Sequence, residues 1–273
     1  MKVNPRVNPV VSQTDSFVNQ LNWHTNQSTK ALEQLAGGTR LLAPQDDAAG
    51  LAVATKLEAQ LRQFDAAARN LANATSFTQT QDGYLKSAQG TLDRMGELAI
   101  RAQDATLSPD QRALYQTEFQ ALKDTFNDTR TAEYNGQTLF DGTARTIASS
   151  PEDLTQLSGI DLFTAEQNAV TAQATRLNTP AQAQAALQDI LTATDQLTTA
   201  RATTGSTLAE LESASTRLTT QTESTTAAFS RISDTDVNEV MTRLAREQSL
   251  TQNNLFALKQ LNSNQSHLID LLG

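Results

Sequence analysis

The sequence predicts an all-α-dominated fold: an elongated, folded-back helical rod with terminal coiled-coil helices and a small β-hairpin excursion near the tip. Three observations predict it. Apolar residues recur at alternating spacings of three and four at both ends of the chain. Hydrophobic residues make up 38% of the sequence and aromatics 5%, which is lean for one compact core of this length. With 11 Gly and 6 Pro among 273 residues, breakers are scarce enough for long helices.

The N-terminal stripe runs Val3, Val7, Val10, Phe17, Leu21, Ala31 and Leu35, and the C-terminal one Val237, Val240, Leu244, Leu258, Leu261, Leu268 and Leu272. A stripe of this kind is stable only against a partner. Residues 1–42 are therefore expected to form an N-terminal assembly helix, and residues 233–273 a C-terminal one. The two would pair with each other, with further copies of the chain, or with both. Pro5 and Pro9 should disrupt the first turns, and both ends are expected to order on assembly.

Between the ends, residues 43–142 read as the N-terminal half of a central helical domain with a β-turn region. Asp46 or Asp47 can cap a helix from Ala48 to about Ala102. Ser108, Pro109 and Gln111 mark a helix restart, with a capping residue, a proline at the first helical position and a glutamine three residues after the cap. That helix runs to about Arg130. Asn135-Gly136 and Asp141-Gly142 are turn signals around a short β-prone run. Residues 143–180, rich in Thr, Ala and Ser, form a short variable tip, expected to be the least regular stretch and replaceable by a short linker. Residues 181–232 complete the central helical domain, and Ser233-Asp234-Thr235-Asp236 is a break with strong capping residues.

The composition excludes several classes. A net charge of −9 and a pI near 4.7 argue against nucleic-acid binding, which calls for a basic face. Without Cys there are no disulfides and no thiolate metal ligands. No apolar run reaches the roughly 18–20 residues of a membrane span, and residues 1–20 lack the apolar core of a cleavable signal peptide. The two histidines, His24 and His267, sit in opposite terminal helices that a folded-back chain can bring together. Two are too few for a metal site, which takes three or four ligands. Asp46-Asp47 and Asp234/Asp236 read as helix caps rather than catalytic pairs. No phosphate loop or nucleophile elbow occurs, so neither catalysis nor a cofactor is expected. Gln248, Gln252, Asn253, Asn254 and Gln260 interrupt the C-terminal stripe. Such amides are either surface polarity or register-fixing groups in a helical seam.

Several motifs, in order, resemble bacterial flagellin. Leu35-Ala36-Gly37-Gly38-Thr39-Arg40-Leu41 followed by Asp46-Asp47-Ala48-Ala49-Gly50-Leu51-Ala52 is similar to the family's N-terminal signature. Arg69-Asn70, Arg94 with Glu97-Leu98-Ala99, and Tyr134-Asn135-Gly136-Gln137 with Leu139 resemble further family segments. So do Ser230-Arg231-Ile232-Ser233-Asp234-Thr235-Asp236 and the terminal run with Arg246, Gln248, Leu250, Leu258, Gln260, Asn262 and Leu271-Leu272. The likeness spans both halves of the chain apart from roughly residues 1–25 and 143–180. The opening residues with Pro5, Pro9, Trp23 and His24, the stretch Leu41-Leu42-Ala43-Pro44, and the nearly absent central variable region depart from the family.

The resemblance implies a structural subunit of the flagellar filament, a secreted homopolymer on the extracellular flagellum that serves swimming motility. Its implied partners are further copies of itself, the flagellar type III export apparatus and its chaperone, and the hook-associated and cap proteins, with no nucleic acid and no membrane insertion. Implied subunit-interface residues are Val10, Phe17, Leu21, Leu35, Arg94, Leu98, Val240, Leu244, Leu258, Leu261, Leu268 and Leu272. Arg94, Leu98 and Glu118 align with positions where some members contact a vertebrate innate immune receptor, although Asp93 and Gly96 replace the Gln and Arg of those members. One alternative is the related hook–filament junction protein, in which Pro commonly follows Asp-Asp; here Ala48-Ala49-Gly50 follows. A surface adhesin would want a larger exposed domain than residues 143–180 supply, and a hydrolase lacks any constellation.

Overall fold

The computed structural model describes residues 8–270 of the chain, and the side chains of residues 13–264, 266 and 267. Ten elements follow one another: α1 (Asn8–Gly37), α2 (Ala48–Ala102), α3 (Pro109–Arg130), β1 (Glu133–Tyr134), β2 (Gln137–Thr138), β3 (Arg145–Ala148), β4 (Leu154–Leu157), α4 (Ala165–Thr171), α5 (Pro180–Ser233) and α6 (Val237–Asp270). The chain divides into two compact units, one of residues 1–59 with 224–273 and one of residues 60–223.

In the unit of residues 60–223, α2 presents Leu85, Ala88, Leu92, Met95, Leu98, Ala99 and Ala102 to a core shared with Ala183, Ala186, Ile190, Ala193 and Leu197 of α5. Spacings of three and four hold along both stripes, so each keeps one face toward the other helix. The two helices run antiparallel: Asp82 meets Arg201 at 3.2 Å, and Gly96 sits against Ile190. Alanines alternate with Leu, Met and Ile along the seam. Farther along, Ala67, Leu71 and Ala74 meet Leu211, Ala214 and Leu218 in a second cluster.

The helix α3 returns beside α2 and adds Phe119 and Phe126, both fully buried. It starts as its sequence signals. The Ser108 side chain accepts from Gln111 N, Gln111 accepts from Ser108 N, and Pro109 occupies the first turn. Three buried cations on α3 end on neutral carbonyl, amide and hydroxyl oxygens rather than on carboxylates. Arg112 donates to the carbonyls of Ala102 and Asp104, closing the C-terminal end of α2. Lys123 donates to the carbonyls of Ala172 and Thr175 just after α4. Arg130 reaches Asn127, Asn168 and Thr171 and lies 4.5 Å over the Phe163 ring. Burial lowers the pKa of both Lys123 and Arg130. Carbonyls at a helix C-terminus carry the negative end of its dipole, which suits a cation there.

The hairpin of β1 and β2 pairs Tyr134 with Gln137. Asn135 and Gly136 take φ of 53° and 74°, the left-handed pair that a two-residue turn requires. A second hairpin, β3 with β4, pairs Arg145 with Leu157 and Ala148 with Leu154. Residues 143–180, expected to be the least regular stretch, hold this hairpin and the short α4. The segment is not a detachable tip, because Leu157, Ile160, Leu162, Val170 and Leu177 are all buried. Gly159 permits a close crossing there: a Cβ on it would lie 2.2 Å from the Gly142 carbonyl oxygen.

Two measurements check this core. Phe119→Ala should cost about 3–5 kcal/mol by urea denaturation, and a loss below about 1 kcal/mol would contradict its burial. Replacing residues 145–178 with a short Gly/Ser linker removes those buried side chains at roughly 1.5–3 kcal/mol each, which rivals the whole stability of a domain. The linker variant should lose the cooperative melting transition of this unit; melting like the intact chain would restore the replaceable tip.

Candidate assembly interface

The other unit is built on α1 and α6. Their axes run antiparallel, since Thr39 bridges Asp234 at one end and His24 meets Glu247 farther along. On α1 the buried and half-buried positions include Phe17, Leu21, His24, Ser28, Ala31 and Leu35. On α6 they include Val240, Leu244, Glu247, Thr251, Asn254, Leu258 and Leu261. Both sets alternate by three and four, the spacing of a coiled-coil seam.

The two breaks that flank this pair lock onto each other. Gly38 takes φ of 67°, ending α1 in the left-handed conformation usual after a helix. Arg40 N then donates to Ser233 O at 2.7 Å, Thr235 N donates to Gly38 O at 3.1 Å, and the Arg40 guanidinium donates to Ile232 O at 3.1 Å. Gln34 donates to Arg40 O at 2.9 Å. The expected caps are in place: Asp47 accepts from Gly50 N at 2.8 Å, and Asp236 accepts from Asn238 N and Glu239 N at 2.9 and 3.1 Å. Asp46 accepts from Leu42 N and Ala43 N and pairs with Lys30 of α1. The Lys30 hydrogen bond is the main reason the Asp46 carboxyl sits below its ordinary pKa. Asp234 accepts from the Ser230 hydroxyl.

Several sequence-based assignments change here. The described part of α1 begins at Asn8 and runs on past Pro9 without a break. His24 does not meet His267, which is exposed, but pairs with Glu247. Of the C-terminal amides, Asn254 alone enters the seam; Gln248, Gln252, Asn253 and Gln260 are exposed. Leu98 is 1% exposed in the core of the other unit, so it has no surface to offer a second subunit or a receptor. The periodicity of α2 turns it inward with Met95 and Ala102. Arg94 and Glu118 do come together, at 2.7 Å, with Glu97 as a second partner of Arg94. These two carboxylates raise the Arg94 pKa, Glu118 most.

The seam residues Phe17, Leu21, Leu35, Val240, Leu244, Leu258 and Leu261 are thus engaged within one chain. Val3, Pro5, Val7 and Leu272 lie outside the described residues, as do the side chains of Val10 and Leu268. Large apolar side chains remain exposed in the same unit: Val18, Trp23, Leu32 and Val53, and on α6 Val237, Met241, Leu255 and Phe256. Phe256 is 71% exposed and Trp23 54%. The sequence signal for most of these was apolar character off the three-and-four pattern, which marks a second face. Among the described residues no cluster of three or more metal-ligating side chains occurs, and no helix is long and apolar enough to cross a membrane.

Comparison with known proteins bears on this arrangement. Residues 12–145 match the family described as the bacterial flagellin N-terminal helical region, and residues 187–272 match the bacterial flagellin C-terminal helical region. A flagellin of Halalkalibacterium halodurans is 32% identical over 255 residues, covering 90% of this chain and 92% of the relative. A flagellin of Listeria innocua is 33% identical over 172 residues, covering 61% of this chain and 58% of the relative. The fold is shared with a solved Vibrio parahaemolyticus structure described as flagellar hook-associated, at a TM-score of 0.61 and 15% identity, covering 69% of this chain and 100% of the other.

The Asp46–Lys30 contact predicts a pH dependence. With the folded pKa of Asp46 lowered, its contribution is fully present above the ordinary carboxylate value near 4 and is lost as pH falls through the lowered folded value. The advantage of the intact chain over Asp46→Asn should hold steady above about pH 5 and shrink below about pH 4. Urea midpoints across that range measure it, and an undiminished advantage at about pH 3 would contradict the coupling.

Proposed function

The chain belongs to the bacterial flagellin family, and on that premise we propose that it assembles through the outer faces of the paired α1 and α6. It is a structural subunit of the flagellar filament, and its place is extracellular. The observation that carries the proposed interface is the number of large apolar side chains left exposed on a helix pair whose inner seam is already filled. Trp23 and Leu32 on α1 and Met241, Leu255 and Phe256 on α6 are large hydrophobes that a lone subunit leaves in water, and repeated burial against further copies removes them. A contact that joins different faces of identical copies grows into an open helical filament when its rotation does not close into a ring.

The face of α2 and α3 around Arg94 and Glu118 is the second surface in this reading, since Ile100 and Leu114 are exposed on those same helices. Export through the flagellar type III apparatus, a chaperone on the terminal helices, and growth beneath a cap complete the proposal. A chain without Cys carries no cross-link that would oppose export in an unfolded state. The filament role is favoured over the junction role by Ala48-Ala49-Gly50 after the two aspartates.

Seeded polymerisation followed by electron microscopy tests the interface. Phe256→Asp should leave helicity and melting of the soluble subunit unchanged and slow growth about tenfold or more, since a buried unpaired carboxylate costs several kcal/mol. Leu258→Asp lies in the seam and should lower subunit helicity as well. Growth of Phe256→Asp at the normal rate would remove this face from the interface.

A further inference from the structure

We propose that Met241 is a site of reversible oxidation by peroxides, and that its sulfoxide slows the addition of a subunit to the filament. The proposal rests on the filament-subunit reading, because Met241 belongs to the exposed apolar surface on which that reading stands.

The chain has 3 Met and no Cys, so no thiol competes for an oxidant. Met1 lies outside the described residues. Met95 is 0% exposed, in the core of residues 60–223. Met241 is 57% exposed. Oxidation of a thioether follows access to its sulfur, and burial therefore separates these two methionines. Met241 follows Val240, which is buried in the seam. One residue along a helix turns a side chain about 100°, which carries Met241 off the seam. One turn away on either side, Val237 and Ala245 are also exposed. Oxidation at Met241 thus leaves the fold of the lone subunit intact. The same change at Met95 would set a bare dipole in an apolar core.

In the oxidation step the thioether sulfur attacks one oxygen of hydrogen peroxide. An S–O bond forms and the O–O bond breaks. The departing hydroxide takes the proton left on the transferred oxygen and leaves as water. Sulfur gives up an electron pair, and the peroxide is reduced. The product is a polar sulfoxide where a flexible apolar group stood. Water solvates that dipole on a free subunit. Burial against the apolar surface of another copy strips the water away without replacing its hydrogen bonds, and the cost falls on assembly.

Peroxide treatment of the soluble full-length subunit, followed by peptide mass mapping, tests the site. One added oxygen should appear on Met241, with about tenfold less on Met95, and the melting of residues 60–223 should stay unchanged. Oxidised subunits should elongate seeds about fivefold more slowly than untreated ones, and methionine sulfoxide reductases A and B together should restore the untreated rate. Met241→Leu should grow at one rate before and after peroxide, which separates this sulfur from that of Met1. In finished filaments the yield of sulfoxide at Met241 should fall about fivefold, because the neighbouring copy covers it. Equal oxidation of Met95, full-speed growth of oxidised subunits, a peroxide effect that persists in Met241→Leu, or an undiminished yield in filaments would each overturn the proposal. If untreated subunits do not elongate seeds, the filament reading fails, whereas selective oxidation of Met241 stands on the mass map of the subunit.

Discussion

A helix with one apolar stripe can cover it only once. In this chain the stripe of α1 is covered by α6 of the same molecule, through a seam that includes Phe17, Leu21, Val240, Leu244 and Leu258. What remains for other copies is the surface outside the seam, where Trp23, Leu32, Met241 and Phe256 stand in solvent. The division between inner and outer faces follows from that single pairing. It also explains why the breaks at Gly38 and Asp234 are tied by backbone hydrogen bonds: the end of α1 and the start of α6 must be held together before a seam can run between them.

The unit of residues 60–223 reaches stability by a separate route. Its long helices meet through alanine-rich stripes, and α3 adds the large aromatic rings that those stripes lack. The three cations of α3 lie among carbonyl ends and amides that would otherwise be left bare. Arg112 and Lys123 in particular close the ends of α2 and α4. A buried charge without a carboxylate is tolerable when several hydrogen bonds replace its water, and Lys123 and Arg130 each have more than one.

Much of the fold was legible in the sequence because its signals are local. The caps of α2 and α3, the Asn135-Gly136 turn and the break before α6 are specified by residues within a turn of one another, and each forms as expected. The hairpin of β3 and β4 was not legible. Its strands are four residues each, too short for alternation to register, and they depend on packing of Ile147 and Leu157 against α2 and α5. At the interface, periodicity found the stripes but not their partners. It could not say that Val240 is covered within the chain, or that Phe256, two residues beyond Asn254's seam position, is free. Leu98 shows the opposite case: likeness to a family placed it on a surface, whereas its spacing from Leu92, Met95 and Ala102 already pointed inward. The contact of His24 with Glu247 carries no local signal at all.

The central claim is that each subunit pairs its own terminal helices and offers their outer faces to its neighbours. A helical reconstruction of seeded filaments by electron cryo-microscopy, at a resolution that traces side chains, tests it most directly. The account predicts that α1 of each copy lies against α6 of the same chain, with His24 beside Glu247, and that Trp23 and Phe256 are buried between copies. Pairing of α1 with another copy's α6, or Trp23 and Phe256 left facing solvent in the filament, would contradict it.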